Sequence, residues 1–273
     1  MKFSLKTLAA AVVMAAAATG AQADIANGTT GNGELFFNIW DANSSYTRGL
    51  NVSIDSFQAG LAATGNLDMM WAADSLLTSW MATANTATLK WNIVASDTVG
   101  ANRLLTTYTA PEKAVTKQSD VIRSGGLNTT TFLNAVNLLM PNTAGASVTI
   151  AAGTAGYAGG TPAAPFGDNV NQKIDFSNAG SSSTNSFASG LGFMRIDATA
   201  SGITKSVYNE YYDPSSNLLQ DVTKAAGGNV VKVYFDANNT LHIAAVPEPE
   251  SYAMLLAGLG MIGFMARRRN NRA

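Results

Sequence analysis

The stretch richest in reactive side chains is Tyr208-Asn209-Glu210-Tyr211-Tyr212-Asp213. Two carboxylates facing each other across a sugar can act as acid and base in glycoside hydrolysis, and tyrosine rings stack on sugar faces. On a strand, Tyr208, Glu210 and Tyr212 share one face while Val207, Asn209 and Tyr211 share the other, so the same residues also describe a half-exposed strand entering a turn. The strand account needs fewer assumptions. Trp40 joins Tyr208, Glu210 and Tyr212 as the candidates for glycan contact.

The chain has one histidine, His242, between Leu241 and Ile243. A Ser-His-Asp triad requires an imidazole beside an exposed nucleophile, and no Gly-x-Ser-x-Gly elbow occurs, so His242 reads as a strand-face residue. A lone imidazole is a poor zinc site. Asp41-Ala42-Asn43-Ser44-Ser45 alternates oxygen ligands like the start of a calcium loop. Tyr46 stands where the loop needs glycine, however, and Val52 where it needs the bidentate glutamate, leaving an ordinary polar turn. With no cysteine, thiolate catalysis and disulfides are excluded. Neither standard phosphate-loop spacing is present, so no catalytic residue, metal or cofactor is expected.

Composition narrows the class further. Charged residues make up 13% of the chain, against roughly 25% in an average soluble protein, so Ser, Thr, Asn and Gly must cover much of the surface. Between Asp24 and Val246 there are 11 basic and 16 acidic residues, a net charge of −5. That mildly acidic balance argues against nucleic-acid binding.

Lys2 and Lys6 precede an apolar stretch from Leu8 to Ala18, and Ala21 and Ala23 supply the small residues of a cleavage site. Residues 1–23 therefore read as a secretory signal for the Sec export machinery and signal peptidase, with the mature chain beginning at Asp24. Residues 24–33 lack apolar periodicity and are expected to form a flexible leader, followed by one β-rich ectodomain over 34–246.

Within that ectodomain, Leu35, Phe37 and Ile39 alternate with polar or opposite-facing residues. After the turn at 41–45, Leu50, Val52 and Ile54 do the same, which predicts a hairpin. From Asp68 the period lengthens through Met69, Ala73, Leu76, Leu77, Trp80 and Met81, predicting a helix capped by Asp68. Leu89, Trp91, Ile93 and Ala95 give a strand, and Arg103–Tyr108 a further one. Trp80 and Trp91 fall on apolar faces and read as core, whereas Trp40 and Trp71 are not determined.

Glu112–Gly126 reads as a polar loop, and Phe132, Leu133, Val136, Leu139 and Met140 as a second short helix between Asn128 and Pro141. Residues 141–190 are expected to be long loops around strands at Ser147–Ala151 and Lys173–Phe176, or else a linker between two small β units. Leu191–Asp197 and Thr204–Tyr212 read as strands, the latter ending in the turn Asp213–Asn217. Val231–Phe235 and Leu241–Ile243, joined through residues 237–239, read as a terminal hairpin. Many strands without regular βαβ alternation predict a mainly β, antiparallel sandwich with one or two short helices.

After Val246 the chain changes character. Pro247, Glu248 and Pro249 precede 16 uncharged residues from Ser251 to Ala266, and then Arg267, Arg268, Arg269 and Arg272. As a helix the apolar run spans roughly 24 Å at about 1.5 Å per residue, short of a hydrocarbon core of about 30 Å. Snorkelling arginines and local thinning close that difference, and the arginines place the C-terminus in the cytoplasm.

Pro247-Glu248-Pro249, the apolar run opening with Ser251-Tyr252 and carrying Gly258, Gly260 and Gly263, and the arginine cluster together resemble the PEP-CTERM sorting signal of Gram-negative bacteria. The resemblance covers residues 247–273 and implies an exosortase as partner, processing near Pro247–Pro249, and a membrane-anchored intermediate bound for the cell surface or exopolysaccharide matrix. The expected function is a non-enzymatic surface or matrix protein. A carbohydrate-binding module is the alternative, and a glycoside-active enzyme comes behind it.

Overall fold

A computed structural model describes residues 24–63, 67–100, 102–108, 119–141, 143, 145–159, 190–199, 202–207, 219–222 and 230–246. The expected signal (1–23), the strand at Lys173–Phe176, the turn at Asp213–Asn217 and the whole sorting tail (247–273) lie outside the described residues.

The first hairpin forms where alternation predicts it, from β1 (Glu34–Trp40) and β2 (Ser44–Ser53). Asp41 closes it, because its Oδ1 accepts from the N–H groups of Asn43 and Ser44 at 2.8 and 2.9 Å. Its Oδ2 accepts from Asn85 N–H at 2.7 Å. Burial works against this charge, but the Asn85, Asn43 and Ser44 donors outweigh it and hold the carboxyl below its ordinary value. The stretch read as a failed calcium loop is thus a side-chain-closed turn.

Ile54, expected inside the second strand, instead opens α1 (Ile54–Ala63). Ser53 Oγ accepts from Ser56 N–H at 3.2 Å, an N-cap bond, and Ile54, Phe57 and Leu61 are buried at helical spacing. The period-two pattern that ends on Ile54 overlaps the helical pattern that begins there, which hid this helix.

The helix expected from Asp68 divides into β3 (Asp68–Trp71) and α2 (Ser75–Met81). Asp74 is the true cap, with its Oδ1 accepting from Leu77 N–H at 2.7 Å. Met69 matched the helical stripe by spacing alone, and it is buried as a strand residue paired with Ile243. Only Leu77 and Trp80 form the buried face of α2.

β4 (Lys90–Ser96) and β5 (Arg103–Tyr108) follow as expected. α3 (Ser119–Asn137) starts inside the stretch expected as a loop, so Asn128 lies within the helix and does not cap it. Thr129, Phe132, Leu133 and Val136 are its buried stripe. Gly126 lets its upstream turns approach the chain at residue 98, since a Cβ there would stand 3.3 Å from Thr98 Cγ2. Packing, not local propensity, extends this helix.

The remaining strands are β6 (Ser147–Ala151), β7 (Gly192–Thr199), β8 (Gly202–Val207), β9 (Leu219–Val222), β10 (Val230–Phe235) and β11 (Leu241–Val246). β9 was not anticipated. Eight strands form one sheet in the order β6-β2-β1-β4-β5-β7-β8-β9, and three form another in the order β10-β11-β3. Among the described residues, all strand pairings are antiparallel except β8 with β9.

Alternation sends Leu35, Phe37, Ile39, Trp91 and Ile93 of the large sheet into a core shared with Val231, Val233, Phe235, Leu241 and Ile243 of the small one. Phe235 meets Phe37 and Trp91 edge-on, with centroids 5.5 and 5.3 Å apart. Trp80 and Trp91 are core residues, as expected. A bridge between Leu191 and Val233, with N–H···O distances of 2.7 and 3.0 Å, ties the small sheet to the entry of β7.

The opposite face of the large sheet packs on α3, where Phe36 stacks on Phe132 at 5.9 Å. Beside this stack runs a buried polar row. Thr47 Oγ1 donates to Asn38 Oδ1 at 2.8 Å, and Asn38 Nδ2 donates to Asn92 Oδ1 at 3.0 Å. The protein is therefore mainly β and antiparallel as expected, but its described residues include three helices, and the large sheet is covered on both faces.

Candidate functional site

Each polar cluster has to be judged by what its atoms face. His242 projects from β11 away from the core, and its ring lies flat against Tyr234, centroids 4.7 Å apart and 2° from parallel. Its Nδ1 is 3.1 Å from Asp68 Oδ1, and its Nε2 is 3.6 Å from Asp236 Oδ2. A triad would place a hydroxyl at Nε2, but here a second carboxylate stands there. Asp236 is itself committed, since its Oδ1 accepts from the N–H groups of Asn238 and Thr240, both at 2.8 Å. The Thr240 bond above all, with help from Asn238 and His242, holds its carboxyl below the ordinary value. His242 thus links β3 to the β10–β11 turn, the strand-face role expected of it.

A second hub was missed in the sequence. Asp74 caps α2 through Oδ1, while its Oδ2 accepts from the Tyr46 hydroxyl at 2.7 Å and the Ser147 hydroxyl at 2.8 Å. Burial pushes this carboxyl up, but the Leu77 N–H, the two hydroxyls and nearby Arg48 together bring it below its ordinary value. The chemistry is structural: one carboxylate joins β2, β6 and α2. Asp74 lies six residues after Asp68, the acid that precedes the apolar stripe, and only the strand assignment of β3 distinguishes them.

The glycan candidates do not come together among the described residues. Trp40 is 4% exposed, and Gly159 packs against it so closely that a Cβ there would stand 2.3 Å from Trp40 Cδ1. Its ring offers no open face to a sugar. Tyr208, Glu210 and Tyr212 lie outside the described residues. Trp71 is partly buried and donates from Nε1 to the Leu50 carbonyl at 3.0 Å. Among the described residues, no group of three or more His, Asp or Glu is arranged to hold a metal ion.

Of the residues expected at the signal cleavage site, Ala21 and Ala23 lie outside the described residues, while Asp24 is exposed. Asp24–Gly33 forms no strand or helix, yet it is a packed strap and not a flexible leader. Ile25 is buried at 2% exposure, and Asn137 grips its backbone from both sides, accepting from Ile25 N–H at 3.1 Å and donating to Ile25 C=O at 3.0 Å. The single isoleucine escaped notice because one apolar residue has no period.

The C-terminal junction is the part of the fold that meets a recognisable signal. β11 is the middle strand of the small sheet. On one side it pairs with β10 over its full length, from Leu241↔Phe235 to Val246↔Val230. On the other it pairs with β3 only from Leu241↔Trp71 to Ala244↔Asp68. Ala245 and Val246 thus have a strand on one side alone among the described residues, and Pro247, which carries no N–H for a ladder, follows at once.

Residues 245–269 match the family model of the PEP-CTERM protein-sorting motif. The chain carries a PEP-CTERM sorting signal. No characterised protein and no solved structure matches the chain. The PEP-CTERM match contains Pro247, Glu248 and Pro249 and the arginines Arg267, Arg268 and Arg269; Arg272 follows it, and all of these lie outside the described residues. A PEP-CTERM signal implies export, processing by an exosortase and a membrane-associated C-terminal tail. No helix among the described residues is long and apolar enough to cross a membrane. The span expected over residues 251–266 lies outside them.

Proposed function

We propose that residues 24–246 are the cargo of the sorting tail: a non-catalytic structural or interaction protein delivered to the cell surface or exopolysaccharide matrix of a Gram-negative bacterium. The observation that carries this reading is the PEP-CTERM motif over residues 245–269. It is supported by the polar, weakly charged composition and by the structural employment of His242, Asp236, Asp74 and Asp41. In this reading the Sec machinery and signal peptidase release Asp24 as the new N-terminus. Residues 251–266 then hold the chain in the inner membrane with Arg267–Arg269 and Arg272 inside, until an exosortase acts near Pro247–Pro249.

Intact-mass and fractionation analysis of the native protein, in strains with and without exosortase, tests this. The expected product begins at Asp24, lacks the tail and leaves the membrane fraction only when exosortase is present. An unprocessed, membrane-bound chain in both strains would overturn the sorting reading. Hydrolysis of an exopolysaccharide by the purified domain, abolished in Glu210→Gln, would overturn the non-catalytic one.

A further inference from the structure

The sorting signal and the fold share two residues. The matched signal begins at Ala245, while β11 continues to Val246 in register with β10. β3 pairing stops at Ala244, so the boundary of double-sided pairing falls where the signal starts. Leu241 and Ile243 belong to the core and are held on both edges, whereas among the described residues Ala245 and Val246 are held by β10 alone. Beyond them, residues 247–250 span at most about 13 Å at roughly 3.3 Å per residue before the apolar run begins. An enzyme that grips an extended chain needs its backbone groups and room on its flanks. Here β10 already holds the backbone on the upstream side, and neighbouring strands are only about 4.8 Å apart.

We propose that the small sheet gates processing: exosortase acts on the form in which Ala245 and Val246 have peeled away from Val231 and Val230, while Leu241–Ala244 stay in place. The inference rests on the sorting reading. Local opening precedes cleavage, and the processing rate follows the open population as long as opening and closing are faster than the cut.

The test uses the full-length chain and exosortase-containing membranes, with the product followed by intact mass. One variant pairs Val230→Cys with Val246→Cys. These positions face each other in the register, and the native chain has no cysteine, so the cross-link is unambiguous and its reduced form is the internal control. A second variant inserts a Gly-Ser spacer and a repeated Ala-Val pair ahead of Pro247, freeing the signal from the sheet. The cross-linked chain is expected to be processed at under roughly a tenth of the reduced rate, and the spacer variant roughly tenfold faster than native. Equal rates in all forms would overturn the gate while leaving the sorting reading intact. Absence of exosortase-dependent product from every form, the spacer variant included, would overturn the sorting reading itself and the gate with it.

Discussion

Asp74 shows how much one side chain carries in a protein without disulfides. Its carboxylate satisfies the first turn of α2 and the hydroxyls of Tyr46 and Ser147, and Tyr46 is fully buried. Losing an N-cap costs about 1 kcal/mol, and leaving a buried hydroxyl without its partner costs about 1–3 kcal/mol. Asp74→Ala is therefore expected to destabilise the domain by about 2–4 kcal/mol, read as a lower urea midpoint at unchanged slope. A loss under about 0.5 kcal/mol would show that the hub is dispensable. Because the folded-state carboxyl titrates below its ordinary value of 3.8, its contribution is complete above that value and disappears as the pH falls through the lower folded-state value. Asp74→Asn is expected to flatten the acid limb of a stability-versus-pH curve in that range, with little change in its shape near neutrality.

At the scale of the element, α3 and the strap depend on each other and on the large sheet. Phe132 stacks on Phe36 and is 2% exposed, while Asn137 at the end of the same helix grips Ile25. Phe132→Ala removes an aromatic side chain from a filled site and is expected to cost about 3–5 kcal/mol. Hydrogen exchange is expected to show lost protection first at Ile25 and along α3, with β10 and β11 opening later. Simultaneous loss across both sheets would show that α3 is not a separable layer. Phe132, Leu133 and Val136 were legible in the sequence as its apolar stripe, but its first turns were not, and Leu139 and Met140, expected to continue the stripe, lie past its end at Asn137, with Leu139 exposed. Residues 119–126 contain two glycines, and their adjacent apolar pair, Val121 and Ile122, is too short to set a helical period; they are helical because the packed half holds them in line.

For the whole molecule, the decisive feature is one core fed by two sheets. Val231, Val233, Phe235, Leu241 and Ile243 fill the face of the large sheet. A chain ending before Val230 would expose that face. It is expected to lose its cooperative thermal transition by circular dichroism and to bind a hydrophobic dye strongly. A retained sharp transition would show that the large sheet folds without the small one. The sequence by itself determined what is local: the β1–β2 hairpin and its Asp41 turn, β4, the terminal hairpin, the strand-face place of His242, and the sorting signal, whose chemistry is consecutive along the chain. Only the tertiary structure decided that Trp40 is covered, that Asp74 rather than Asp68 caps α2, that Ile25 anchors a strap, and that β3 closes the edge of β11 as far as Ala244. Alternation tells which face a side chain takes, but pairing partners such as Asp68 and Ala244 are remote in sequence and meet only because packing brings their strands side by side.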